Sequence, residues 1–71
     1  MKLFTVREVA EILKFSRMSI WLWIRFGELK ADKVGDRYVI SKKDLLEFIE
    51  GTKKLSPYFK SEIKKRLMSD K

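Results

Sequence analysis

Apolar residues return at helical spacing in four stretches of this chain and alternate at strand spacing in one region between them. Val6, Val9, Ala10 and Leu13 stand at i, i+3, i+4 and i+7, which gives a first helix one buried stripe and leaves Arg7, Glu8, Glu11 and Lys14 for solvent. Its start is marked twice. Thr5 followed three positions later by Glu8 is a capping box, and Phe4 and Val9 are spaced as a hydrophobic staple across it, so the helix begins near Val6. Ser16 repeats the cap, with Phe15 and Ile20 as staple, and Gly27 stands where a left-handed residue ends a helix without a side-chain penalty. A second helix therefore runs from about Arg17 to Phe26, a short turn after the first. On it, Ile20, Trp23 and Ile24 form the stripe that packs on helix one, and Arg17, Met18, Trp21, Leu22 and Arg25 form the outer side.

After Gly27 the period changes. Leu29 to Val34 and Arg37 to Ile40 are β-prone runs around Gly35-Asp36, a pair suited to a two-residue turn, and they predict a two-stranded hairpin. Antiparallel pairing about that turn sets Ala31 opposite Ile40 and Lys33 opposite Tyr38 on one face, with Asp32 and Val39 on the other. Ser41, with Asp44 three residues on and Ile40 and Leu45 as staple, opens a third helix to about Glu50 that buries Leu45, Leu46 and Ile49, and Gly51 stops it. Ser56 followed by Pro57 starts a fourth, in which Phe59, Ile63 and Leu67 repeat every four residues and Lys60, Lys64, Lys65 and Arg66 cover much of the rest. Such a stripe must be covered by the chain's own core, by a second copy in a dimer or by another protein, with a membrane surface as the weaker alternative.

A chain of 71 residues supports one domain with a core near the lower size limit for independent folding. With no cysteine and no histidine, disulfides, ordinary zinc sites and nucleophilic mechanisms that need a histidine base or a thiolate are excluded; no cofactor or metal is expected. No stretch has the apolar length of a membrane span or a secretion signal, so no membrane is expected and the chain reads as cytoplasmic. The net charge of +7 and pI near 9.9 point to a polyanionic partner. Most of the excess is late. Residues 1–51 carry 10 Lys/Arg against 8 Asp/Glu, and residues 52–71 carry 7 against 2.

In its order of helix, turn, helix, hairpin and helix the chain resembles the excisionase-type, MerR-like winged helix-turn-helix family, over about Leu3 to Glu50. The resemblance is carried by Phe4-Thr5-Val6-x-Glu8-Val9-Ala10-x-x-Leu13, by Ser16-Arg17-x-Ser19-Ile20-x-x-Trp23-Ile24-Arg25, by Gly27-x-Leu29-x-Ala31, and by Val34-Gly35-x-x-Tyr38-x-Ile40 before Asp44-Leu45. It implies a mainly α fold with a small β-hairpin, a winged helix-turn-helix over residues 1–51, to which the chain's own pattern adds a basic amphipathic helix in residues 52–71 for core packing or dimerisation. It also implies a partner, double-stranded DNA, with the second helix (17–26) in the major groove and the wing (33–38) on flanking DNA. Such domains serve as small transcriptional regulators, as excisionase-like recombination accessory factors, or as the DNA-binding end of serine-type transposases and recombinases. The chain departs from the family pattern at Lys14, where a turn glycine is frequent, at Lys30, where proline is common, and at Met18 and Leu22, where polar or basic residues often stand.

The residues available for DNA are themselves restrictive. The chain has no asparagine and no glutamine, which removes the amides that pair with adenine. Arg17 or Arg25 to guanine, Met18 or Leu22 against a thymine methyl, and Ser19 as a weakly discriminating hydroxyl remain for base edges. Trp21 is placed to donate to a phosphate while its ring covers sugar, or to anchor a protein partner. Lys33 and Arg37 are placed for phosphates or a narrow minor groove. The expected activity is non-enzymatic, since a recombinase active site needs a separate catalytic domain. A rival from another class is a protein-interaction adaptor that uses Met18, Trp21 and Leu22 as its contact patch.

Overall fold

The computed structural model describes residues 3–69, in which β1 (Leu3–Thr5), α1 (Val6–Leu13), α2 (Arg17–Arg25), β2 (Asp32–Val34), β3 (Arg37–Ser41), α3 (Lys42–Gly51) and α4 (Pro57–Ser69) follow one another. The outer ends of the two units expected from sequence, residues 1–2 and 70–71, lie outside that range. Every helix begins on a hydroxyl. Thr5 Oγ1 accepts the Glu8 N–H at 3.1 Å while Glu8 Oε1 accepts the Thr5 N–H at 2.9 Å, completing the capping box. The Ser16, Ser41 and Ser56 hydroxyls accept the N–H of Ser19, Asp44 and Phe59 at 3.2, 3.0 and 3.2 Å. These bonds satisfy donors that a helix cannot pair internally and fix the four starts where the sequence puts them.

The sheet is larger than the predicted two-stranded wing. β1 pairs antiparallel with β3, Phe4 opposite Ile40, and β3 pairs with β2, so the order is β1-β3-β2. Phe4, read from the sequence only as a staple, is thus also a strand residue, buried at the centre of that ladder. Its strand escapes notice because three residues directly before a capped helix are too few to show a two-residue period. An N-cap residue has extended backbone, and this lets a strand run into a helix with no loop: Thr5 (ψ 166°) ends β1 and caps α1, and Ser41 (ψ 156°) ends β3 and caps α3.

The hairpin keeps its predicted register at Asp32–Val39 and Lys33–Tyr38, around a turn in which Gly35 takes φ +64°. β2 is shorter than expected. The ladder stops at Asp32, so Ala31 does not pair with Ile40, and Leu29 is buried in the loop leaving α2. α2 ends one residue early at Arg25, with Phe26 as cap and Gly27 at φ +82°. α3 also ends differently. Gly51 is its last helical residue, and the helix stops at Thr52, whose backbone is extended and whose N–H donates to the Phe48 carbonyl at 2.9 Å. On α3 the buried residues are Leu45, Phe48 and Ile49; Leu46 is only half-buried.

Phe48 matters because it reaches Trp23. The Trp23 ring lies 5.1 Å from Phe48 and 4.9 Å, edge on, from Phe15, so one indole joins α2 to α3 and to the turn between α1 and α2. Ile20 and Trp23 are buried as expected, and Ile24 is half-buried against the same cluster. Leu55, Ile63 and Leu67 enter that core, with Phe59 packed on it. The apolar stripe of α4 thus packs on the core of its own chain. An exposed ion pair between Lys64 and Glu50 adds a link from α4 to α3. The Lys64 hydrogen bond, then its charge, hold the Glu50 carboxyl below its ordinary value.

Candidate nucleic-acid interface

With Ile20 and Trp23 turned into the core, the 3.6-residue period of α2 carries Arg17, Met18, Trp21, Leu22 and Arg25 to the surface. Met18 is 64% exposed and Trp21 40%, so the outer side of this helix is apolar as well as charged. Arg25 is not a free cation. Its guanidinium lies over the Trp21 ring, 5.4 Å from the ring centre, a cation–π contact across one helical turn. Ser19 is turned toward the helix start: its hydroxyl is 3.1 Å from that of Ser16, and its N–H donates to the same oxygen.

The hairpin completes the surface. Arg17, Met18 and Trp21 border one concavity with Asp36 of the turn and with Arg37 and Tyr38 of β3, and the α1 residues Arg7, Glu8 and Glu11 line another part of its wall. Four of the eight residues singled out from sequence therefore meet around a single depression. Arg25 borders a second, smaller one with Lys30, Asp32 and Tyr38. Lys33 is exposed on β2 opposite Tyr38, and Leu22 and Ser19 border neither depression. Tyr38, half-buried between the two, was legible only as a strand residue.

Arg7 is the other residue that sequence spacing missed. The helical period assigns it to solvent, which is where it lies, but only the packing of α1 beside α2 and the wing reveals that it faces the same space as Arg17 and Arg37. The carboxylates on that wall are partly committed: Glu8 closes the capping box, and Glu11 Oε2 lies 3.6 Å from Arg7 Nε. The fourth helix forms a groove with α1, bordered by Lys14, Arg66 and Leu67, which shares Glu8 and Glu11 with the concavity of α2 and the wing.

What this surface offers is three guanidinium groups set among the carboxylates of Glu8, Glu11 and Asp36, with a phenol, an indole and exposed methionine carbon: donors for phosphate oxygens and base edges, and apolar surface for thymine methyls and sugar. Among the described residues no group of acidic side chains is placed to hold a metal ion, and no helix is long and apolar enough to cross a membrane. No curated protein and no solved structure matches the chain significantly. Residues 3–53, which run from β1 through α3 and end before α4, match a family described as a helix-turn-helix domain.

Proposed function

The chain belongs to the helix-turn-helix domain family, and on that premise we propose that it binds double-stranded DNA with a preference for sequence, as a small transcriptional regulator or an excisionase-like recombination accessory factor. The observation that carries this reading is the shared concavity of α2 and the wing, with Arg17, Met18 and Trp21 facing Arg37 and Tyr38. α2 enters the major groove and the hairpin tip lies on the flanking backbone or minor groove. Arg17 or Arg25 pairs with guanine, and Met18 and Leu22 meet thymine methyls. The Trp21 ring lies against the Arg25 guanidinium, so the two side chains meet the duplex side by side. The protein acts by its placement on DNA and its contacts there, without chemistry of its own.

Selecting bound duplexes from a random pool tests this reading. A recovered site with guanine and thymine at neighbouring positions, bound more tightly than its scrambled version, is the expected result. A pool that shows no enrichment contradicts it.

Exposed Met18, Trp21 and Leu22 on α2, with Phe26 exposed at its cap, favour a second reading, a protein-interaction adaptor that uses Met18, Trp21 and Leu22 as its contact patch. Salt separates the two. DNA binding weakens steeply as salt rises because counterions are released from phosphates, whereas an apolar contact is far less sensitive.

A further inference from the structure

Arg7 in the first turn of α1, Arg17 at the first position of α2 and Arg37 at the start of β3 bring guanidinium groups from three elements to one concavity. Arg17 and Arg37 belong to the DNA surface proposed above; Arg7 has had no role. Its place does little for the helix. A cation in a first turn lies against the positive end of the helix dipole, and that end is already served by Glu8 in the capping box. Its partner Glu11 stands one turn later, which sets cation before anion, the less favourable order for a helical pair. The two side chains are 75% and 69% exposed, so water screens the pair and either group is free to exchange partners.

We propose that Arg7 is a phosphate contact of this surface and that Glu11 holds it in reserve until a duplex docks. The inference rests on the DNA-binding reading. In a helix-turn-helix the first helix crosses the sugar-phosphate backbone while the second enters the groove, so a guanidinium on α1 meets phosphate and not a base edge. A phosphate oxygen then replaces the Glu11 carboxylate as the acceptor, a charge-assisted exchange of like for like. Glu11 opposes docking in two ways. It competes for Arg7, and its own negative charge borders the concavity that the backbone must approach. Arg7 therefore adds affinity on any sequence, and Glu11 sets how much of it is realised.

The test titrates the parent chain, Arg7→Ala, Arg7→Lys, Glu11→Gln and the double variant R7A/E11Q against a short random-sequence duplex over a range of salt, after checking that each melts as the parent does. Arg7→Ala is expected to bind several-fold more weakly, with the slope of log affinity against log salt shallower by about 0.9, the value of one phosphate. Arg7→Lys restores the slope. Glu11→Gln binds several-fold more tightly, and most of that gain vanishes when Arg7 is already alanine. If Arg7→Ala keeps the affinity and slope of a parent that binds, the Arg7 contact is wrong. A gain from Glu11→Gln that is equal with and without Arg7 overturns the reserve. A parent chain that binds no duplex removes this inference together with the DNA-binding reading, and so tells the two failures apart.

Discussion

Lys14 occupies a backbone conformation that side chains rarely take: φ 63°, ψ 36°, the left-handed cap at the end of α1, with its N–H donating to the Ala10 carbonyl. This is the position where the family often has glycine, and the structure gives the physical reason. A Cβ in the left-handed region crowds the following carbonyl, at roughly 1–2 kcal/mol per residue. Glycine removes that strain but has more freedom to lose on folding. Lys14→Gly should therefore stabilise the fold by about 0.5 to 1 kcal/mol, read as a melting temperature a few degrees higher. An unchanged or lower melting point would mean that the Lys14 side chain contributes more than its backbone costs.

The same scale separates the roles proposed for the arginines. If Arg17 pairs with guanine through two hydrogen bonds, Arg17→Ala should cost about 1 to 3 kcal/mol on the selected site and relax preference at one base pair. Equal weakening on all duplexes would reduce Arg17 to a phosphate contact. Spacing alone found Arg17, Met18 and Trp21, because a helix with one buried stripe leaves its other side to solvent by geometry. It did not find Arg7, because meeting Arg17 across a concavity is a property of how two helices pack and leaves no periodic trace.

Caps made the helices legible. Four hydroxyl residues at the right distance from apolar stripes fixed every helical start, and the two-residue turn fixed the register of β2 on β3. The strand β1 was not legible, being three residues long and hidden inside a capping signal. Gly51 misled for a different reason. A glycine near a helix end suggests a left-handed stop, yet here the chain leaves α3 through an extended Thr52 that bonds back to Phe48. Phe48 is buried because i, i+3 and i+4 from Leu45 all face the core once Trp23 and α4 cover that side.

The α3–α4 link carries its own pH dependence. Hydrogen bonding to Lys64 lowers the Glu50 value in the folded chain, so the ionised form is favoured by folding. A carboxyl with a lowered folded value contributes stability above its unfolded value and loses it as pH falls through the folded value. Glu50→Gln should thus be slightly less stable than the parent at neutral pH, with the difference closing on acidification. Melting curves across the acidic range check the sign; a gap that widens toward low pH would contradict it.

At the scale of the whole molecule, the basic charge and the apolar stripe of α4 answer to different constraints. The stripe is used internally: Ile63 and Leu67 lie in the same core cluster as Val9, Leu13 and Ile20. Ile63→Ala should cost about 2 to 5 kcal/mol, a large part of the total stability of so small a domain, and should lower the melting point sharply. With the stripe covered, the chain should sediment as a monomer at high micromolar concentration; a dimer would require another surface. Lys60, Lys64 and Lys65 of α4 border a groove with Glu50 of α3, and none of them lines the α2 and wing concavity. The excess charge late in the sequence thus adds to the field of the whole protein, while the proposed direct contacts come from the helix-turn-helix and the wing.

The presence of two tryptophans, one in the core and one on the outer side of α2, allows a direct test of that surface. In a two-dimensional NMR titration with the selected duplex, the Trp21 indole N–H and the backbone amides of Arg17, Met18, Arg37 and Tyr38 should shift most, while Trp23 and the amides of α4 move little. Shifts concentrated on α4, or an unmoved Trp21 beside a saturated complex, would contradict the account.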